Sequence, residues 1–392
     1  MISVDEALAQ VFSLCAPLPC EEVPLAQAAG RVMRAPAVAG RDQPPFAAAA
    51  MDGYALAGPA TAGDRLSVVA GEAGAGHGFA GTVAPGQALR IFTGAPLPDG
   101  ADRIVIQEDV TRAGDQITLN QPADEAGRHI RPAGADFRAG DRLSAPRRLR
   151  PVDLALLAAM NLGTVPVSRR PVVAIIATGD ELVMPGEAPG GDQIIASNSF
   201  AIKAMVEAEG AEARLLPIAR DSEGHLRTVL EMARGAHVIV TIGGASVGDH
   251  DLVAPVTAEL GATRSFYKIA MRPGKPLMAG RLFDALMLGL PGNPVSAIVT
   301  ARLFLIPALR ALQGLGALPP ATLSARLACA LPANGPRAHY MRATLEPEGL
   351  IRPFDSQDSS LLGILTRADA LLIRPVGDGP RQAGETVRYL GL

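Results

Sequence analysis

Three stretches of this sequence end an apolar run and then present acids. "VVAIIATGDEL" leads to Asp180 and Glu181, "RLLPIARDSEG" to Asp221, and "HVIVTIGGASVGDHD" to Ser246, Asp249 and Asp251. If each run is a buried strand, each acid lies just past a strand's carboxyl end, the rim where open α/β sheets bind ligands. Like charges gathered on one rim repel unless a cation or a bound substrate compensates. Oxygen-rich sets of this kind suit Mg²⁺, which bridges phosphate oxygens while keeping several waters. Taken singly, Asp and Ser are also favoured helix caps; three crossovers in succession favour a ligand. Opposite charge follows in "MRPGKP", with Arg272 and Lys275, and in "GLPGNPVSA", which ends a strand and enters a helix whose free N–H groups attract an oxyanion. "GGASVGDHD" lacks the Gly-Lys-Ser/Thr ending of a P-loop and the spacing of a dinucleotide fingerprint. It can still form a nest of N–H groups for a phosphate. His250 reads as a surface histidine, and no Ser/His/Asp triad can be assembled from spacing.

The elements that must position these residues are legible in outline. From residue 171 to 312 strands alternate with helices, the pattern of a mainly parallel sheet covered on both faces. The helices carry apolar faces, with Ile202, Met205 and Val206 on one and Leu226, Val229, Leu230 and Ala233 on the next. Upstream, Ser3 and Glu6 form a capping box for a helix whose apolar face is Ala7, Leu8, Val11 and Leu14. Residues 53 to 140 have a β texture of short apolar runs cut by Gly, Pro and Asp. "PVDLALLAAMNLG" is helical again, with Pro151 in the first turn and Gly163 at the stop. A β segment between two helical pieces implies an inserted domain with a host built from both flanks. Past residue 318 alternation returns, with Leu323, Ala325, Leu327, Cys329 and Leu331 on one side, as in a small barrel or sandwich.

The bulk composition removes several classes. A chain of 392 residues implies several domains, and 48% hydrophobic content is enough to fill their cores. The net charge of −3 gives no electrostatic reason to bind nucleic acid or an anionic membrane, and Arg147, Arg148 and Arg150 read as a solvated face. Asp5 and Glu6 stand where a signal peptide would be positive. No run reaches the roughly 20 uninterrupted apolar residues of a membrane span; residues 295–312 are interrupted by Arg302, Pro307 and Arg310. Three cysteines without metal-ligand spacing fit a reduced, cytoplasmic protein.

With these residues in view, the chain resembles the molybdopterin molybdenumtransferase family, to which a domain of gephyrin also belongs. The resemblance rests on "PPFAAAAMDGYALAG", "RIFTGAPLPDGADRIVIQED", "ATGDEL", "SNS", "TIGGASVGDHD", "MRPGKP", "GLPGNPVSA" and "SQDSSLLGILTRADALL", in that order along the whole chain. It implies a multidomain α/β architecture: a discontinuous N-terminal domain (1–38 and 139–168), an inserted β-rich domain (39–138), an α/β molybdopterin-binding domain (169–315) and a C-terminal β-barrel (316–392). It also implies an elongated homodimer whose site is shared between the α/β domain and the second domain of the other subunit. Carried over by position, Asp52, Thr93 and Asp136 belong to that second-domain side. Glu181, Asp221 and Asp251 match the rim acids and the Mg²⁺ site, with Ser246 beside them, and Arg272, Lys275, Pro291 and Pro294 match the substrate loops. The implied reaction takes adenylylated molybdopterin and molybdate, releases AMP and leaves molybdenum on the dithiolene; no general base is assigned. Two departures stand out: alanines at 47–50 where polar residues are common, and Arg272 where lysine is usual. A molybdopterin adenylyltransferase, which resembles residues 171 to 312, and a non-catalytic scaffold of the same fold are the alternatives. Against them stand the match outside that segment and the retained rim acids.

Overall fold

The structure is a computed structural model that describes residues 1–244 and 252–392. Its largest sheet is built from β1 (Val172–Ala177), β2 (Glu212–Leu215), β3 (Val238–Ile242), β4 (Thr263–Tyr267), β5 (Met278–Leu282) and β6 (Ala285–Leu290), in the order β2-β1-β3-β6-β5-β4. The first four in that order are parallel, and β5 and β4 run as an antiparallel margin. The strands β3 and β6 are buried at every position, as a sheet covered on both faces requires. Helix α1 (Asn198–Ala208) seals one face with Ile202 and Val206. Helices α2 (Glu223–Glu231) and α3 (Val253–Glu259) seal the other with Leu226, Val229, Leu230 and Val256.

The "GLPGNPVSA" segment opens a helix that continues from Pro294 to Leu312. It does not break at Arg302, Pro307 or Arg310. A π-helical turn, Ala301–Leu305, lies just ahead of Pro307 and takes up the missing N–H and the bulk of the proline ring. The helix is long and apolar enough to cross a membrane by length and composition, but 83% of its apolar window is buried inside the protein. Its two interrupting arginines therefore mark the sides of a core helix, and Pro307 is buried within it.

The two flanks of the inserted segment meet in one small sheet. Cys20–Pro24 pairs with Thr164–Ser168, and Arg147–Arg148 pairs with Val32–Met33. Between them a six-stranded sheet spans Gly53 to Leu119, with its own cores around Leu56 and Ile117 and around Leu89 and Ile91. The first helix, Val4–Ser13, has the expected capping box: Ser3 N–H donates to Glu6 at 2.7 Å, and Glu6 N–H to Ser3 Oγ at 3.1 Å. Its buried face, Val4, Ala7, Leu8 and Val11, lies in the same core as β1, β3 and the Pro294–Leu312 helix. Leu14, the residue that caps the helix, is half-exposed and packs against the same core.

The C-terminal strands Leu323–Leu327, Ala338–Glu346, Leu350–Pro353, Ala370–Arg374 and Thr386–Gly391 close into a five-stranded barrel through the pairing of the second with the fourth. Leu327 and Leu331 enter its core, whereas Leu323 at the strand start is 55% exposed. Met271–Arg272, from the α/β region, adds to the barrel's edge in register with Ala338 and His339. A second joint is made by Glu209 at the end of α1. Its carboxylate accepts from Arg148 at 2.8 Å and from Arg310 at 2.6 Å, and its carbonyl accepts from Arg148 and Gln313, each at 2.9 Å.

Candidate functional site

At the carboxyl ends of the parallel strands lies an open cleft of about 1070 Å³. Its sheet side is formed by residues after β1, β2, β3 and β6: Thr178, Gly179, Glu181 and Leu182, Asp221, Gly243 and Gly244, and Pro291 to Pro294. Chain direction explains why they meet, since all four strands point to one rim. Gly243 and Gly244 have φ of +95° and +58°. A Cβ would stand 2.9 Å from the Thr178 carbonyl oxygen at the first and 2.5 Å from Val253 Cγ2 at the second. Only glycine lets β3 turn this closely under its neighbours.

Facing that side are the Arg272 to Pro276 loop and, from the C-terminal barrel, Arg337 and residues 357–360. The barrel loop docks directly on the start of the Pro294–Leu312 helix. Val295 N–H donates to the Ser359 carbonyl at 3.1 Å, and Asn293 Nδ2 donates to Ser359 Oγ at 2.9 Å. The expectation that this helix start offers its free N–H groups to an oxyanion is therefore narrowed. Pro294 has no N–H and that of Val295 is taken, so of these first residues Ser296 is left facing the cleft.

The charges are arranged in opposition. Arg272, Lys275 and Arg337 line the cleft without an ion pair among the described residues, while Glu181, Asp221 and Asp358 supply acids. Asp358 accepts from Ser360 N–H at 2.9 Å and from Ser360 Oγ at 2.8 Å, bonds that hold its carboxyl below the usual range. Behind Arg272, His339 is buried. Burial, and then the surrounding Arg272, Arg337, Arg374 and Arg342, push its imidazole down to about 4, so it is neutral at physiological pH. Cations without an ion pair among the described residues, facing carboxylates across one cleft, suit a polyanion that brings its own counter-cation.

Residues 2–161 match the MoeA N-terminal region (domains I and II), residues 174–311 the probable molybdopterin binding domain, and residues 324–392 the MoeA C-terminal region (domain IV). Over its full length the chain is 35% identical to a molybdopterin molybdenumtransferase of Nostoc sp., covering 94% of that protein. It is 34% identical to molybdopterin molybdenumtransferase 2 of Mycobacterium tuberculosis over 96% of each chain. The structure superposes on that of a molybdopterin biosynthesis MoeA protein from Pyrococcus horikosii with a TM-score of 0.83 and 31% identity, covering 100% of this chain and 99% of that one. The chain belongs to the MoeA family of molybdopterin molybdenumtransferases.

Within this MoeA fold, the cleft gathers Glu181, Asp221, Arg272, Lys275, Pro291 and Pro294 from the residues singled out in the sequence. Asp52, Thr93 and Asp136 do not line it. Asp52 and Thr93 are joined to each other in the inserted domain: Thr93 N–H and Oγ1 donate to Asp52 Oδ1 at 2.8 and 2.7 Å. Those two bonds hold the Asp52 carboxyl below its ordinary value. Asp136 contributes its N–H to the Gln43 carbonyl at 2.9 Å. Ser246 and Asp251, with Asp249 and His250, lie outside the described residues. Sequence reasoning passed over Arg337, Asp358 and Ser360, although "SQDSS" was already in view as a motif. Among the described residues no three acids, histidines or cysteines gather closely enough to hold a metal ion by themselves. Glu181 and Asp221 on one cleft still fit Mg²⁺, which is ordinarily held by one or two carboxylates and completed by substrate phosphates and water.

Proposed function

We propose that this chain carries out the full transferase reaction: adenylylated molybdopterin and molybdate bind together, the phosphoanhydride is cleaved, AMP leaves, and the dithiolene sulfurs take the molybdenum. The observation that carries the reading is the opposition, in one cleft, of the cations Arg272, Lys275 and Arg337, which form no ion pair among the described residues, to the acids Glu181 and Asp221. Two oxyanions have to be held side by side. The flexible ammonium of Lys275 and the planar forks of Arg272 and Arg337 suit a tetrahedral oxyanion such as molybdate. Ser296 at the helix start supplies a neutral donor to the same group.

Glu181 and Asp221, with Asp251 as the third member, are proposed to hold Mg²⁺. When bound, the ion neutralises the diphosphate and the charge that develops on the leaving phosphate. The acids' own task is to present oxygens at a fixed spacing on the sheet side, and the cations' task is to keep molybdate on the opposite side. Asp52, Thr93 and Asp136 are proposed to reach a cleft only in a homodimer, from the inserted domain of the other subunit. Their place away from this chain's own cleft supports that arrangement, as does the ionised Asp52 held by Thr93. A cytoplasmic location goes with the reading, since all the reactants are small and soluble.

The test is AMP release from adenylylated molybdopterin by the purified protein with Mg²⁺, with and without molybdate. Molybdate-dependent release that yields molybdenum cofactor is the expected result. Lys275→Met is expected to lower turnover about 10²-fold, the usual scale for deleting a donor aimed at developing charge. Wild-type turnover in that variant would remove Lys275 from the site.

A further inference from the structure

Glu181 owes its position to a residue that does not line the cleft. The half-buried Arg220, between β2 and α2, sends one terminal guanidinium nitrogen to three main-chain oxygens: Leu182 at 2.9 Å, Asp180 at 3.1 Å and Gly179 at 3.4 Å. The remaining carbonyl of that run, Glu181's own, accepts from Ile194 N–H at 2.7 Å. Four consecutive carbonyls are thus spoken for, three by a single cation on the neighbouring crossover.

The same two crossovers are stitched again by a reciprocal pair. Asp221 N–H donates to Asp180 Oδ1 at 3.1 Å, and Asp180 N–H donates to Asp221 Oδ2 at 3.3 Å. Arg220 is itself anchored, its N–H donating to His225 Nδ1 at 3.0 Å in the first turn of α2. The Glu181 carboxylate folds back over Gly179 so closely that a Cβ there would lie 2.2 Å from Oε2. Among the described residues no carboxylate forms an ion pair with Arg220, so its charge is spent on oriented carbonyls.

We propose that Arg220 is a positioning residue for the transfer reaction: by gathering the carbonyls of Gly179, Asp180 and Leu182 it fixes the spacing of the Glu181 carboxylate from that of Asp221 across the mouth of the cleft. The inference rests on the reading of Glu181 as a reacting-site acid. Misplacing such a group by about 1 Å costs on the order of 10²-fold in rate, while substrate held mainly by the opposite side binds as before. Because one nitrogen makes all three contacts, an ammonium with three N–H groups can replace much of the guanidinium here, unlike at a bidentate site.

The experiment compares wild type, Arg220→Met, Arg220→Lys, Gly179→Ala and Glu181→Gln by molybdate-dependent AMP release and by amide hydrogen exchange over residues 179–183. For Arg220→Met we expect kcat to fall about tenfold or more, with KM for adenylylated molybdopterin within about twofold of wild type. Exchange in that segment should become faster in the same variant. Arg220→Lys should recover most of the rate and the protection. Gly179→Ala, which leaves Arg220 in place but crowds the Glu181 carboxylate, should show the same kcat-selective loss and serves if Arg220→Met does not fold. Wild-type kcat in Arg220→Met, or equal losses in the Met and Lys variants with unchanged exchange, would overturn the inference while an inactive Glu181→Gln left the site reading standing. A fully active Glu181→Gln would remove both.

Discussion

His339 touches nothing in the cleft, yet it stands in register with Arg272, which does. An imidazole in the unfolded chain takes up its proton near pH 6.5, whereas His339 in the folded protein does so only near 4. Between those values the unfolded state holds the extra proton, so stability rises with pH across the window and is lost as pH falls through it. His339→Gln is therefore expected to flatten the dependence of the urea midpoint on pH between about 6.5 and 4; a slope equal to that of wild type would place the dependence elsewhere. The same neighbourhood shows why part of the site was legible in sequence and part was not. Glu181, Asp221, Arg272 and Lys275 follow apolar runs, so their types and places announce a rim. Ser359 and Arg220 act through carbonyl oxygens, Ser359 by offering one and Arg220 by binding three. Main-chain oxygens belong to every residue type, so nothing in the letters marks them. The alanines at 47–50 illustrate the same point from the other side. Their main chain is held by bonds from Leu97 N–H to Ala47, from Gly94 N–H to Ala49 and from Ala50 N–H to His129, none of which needs a polar side chain.

At the scale of single elements, the Pro294–Leu312 helix carries the most weight. Periodicity and apolar content announced a helix from about residue 295, but Arg302, Pro307 and Arg310 read as breaks. They failed to break it because each has a local outlet: a π turn ahead of Pro307, the Gly391 carbonyl for Arg302 at 3.1 Å, and Glu209 for Arg310. Phe304 sits within the π turn, fully buried in the main core. Phe304→Ala is expected to cost about 3–5 kcal/mol, the usual loss for a large core aromatic, read as a lowered urea midpoint at unchanged slope. A loss below about 1 kcal/mol would mean that the turn collapses around the cavity. Three of the parallel strands were legible because their apolar runs are continuous; the fourth, Glu212–Leu215, is a half-exposed edge strand that ends at Leu215, so the apolar run "RLLPIAR" lies mostly beyond it. Met271–Arg272 was not, because two residues followed by proline carry no period to detect.

For the molecule as a whole, Glu209 is the point where the N-terminal host, α1 and the long helix are tied together. Removing its carboxylate leaves Arg148 and Arg310 facing each other with no counter-charge, and burial already lowers the Arg148 pKa. Glu209→Ala is expected to destabilise the fold by about 1–3 kcal/mol, below a fully buried pair because both arginines are partly exposed. Thermal unfolding would check it, and Glu209→Ala combined with Arg148→Ala should recover part of the loss. The pairing of Met271–Arg272 with a strand that begins at Ala338 has a different kind of consequence, one of timing. A chain emerging from the ribosome completes the parallel sheet, with Glu181, Asp221 and Lys275 in place, well before the barrel strand that secures Arg272 has been made. The loop of Ser359, which docks on the long helix, comes later still. The nascent protein thus carries its acids early and the side proposed to hold anions only near the end of synthesis, so an unfinished chain has no complete cleft.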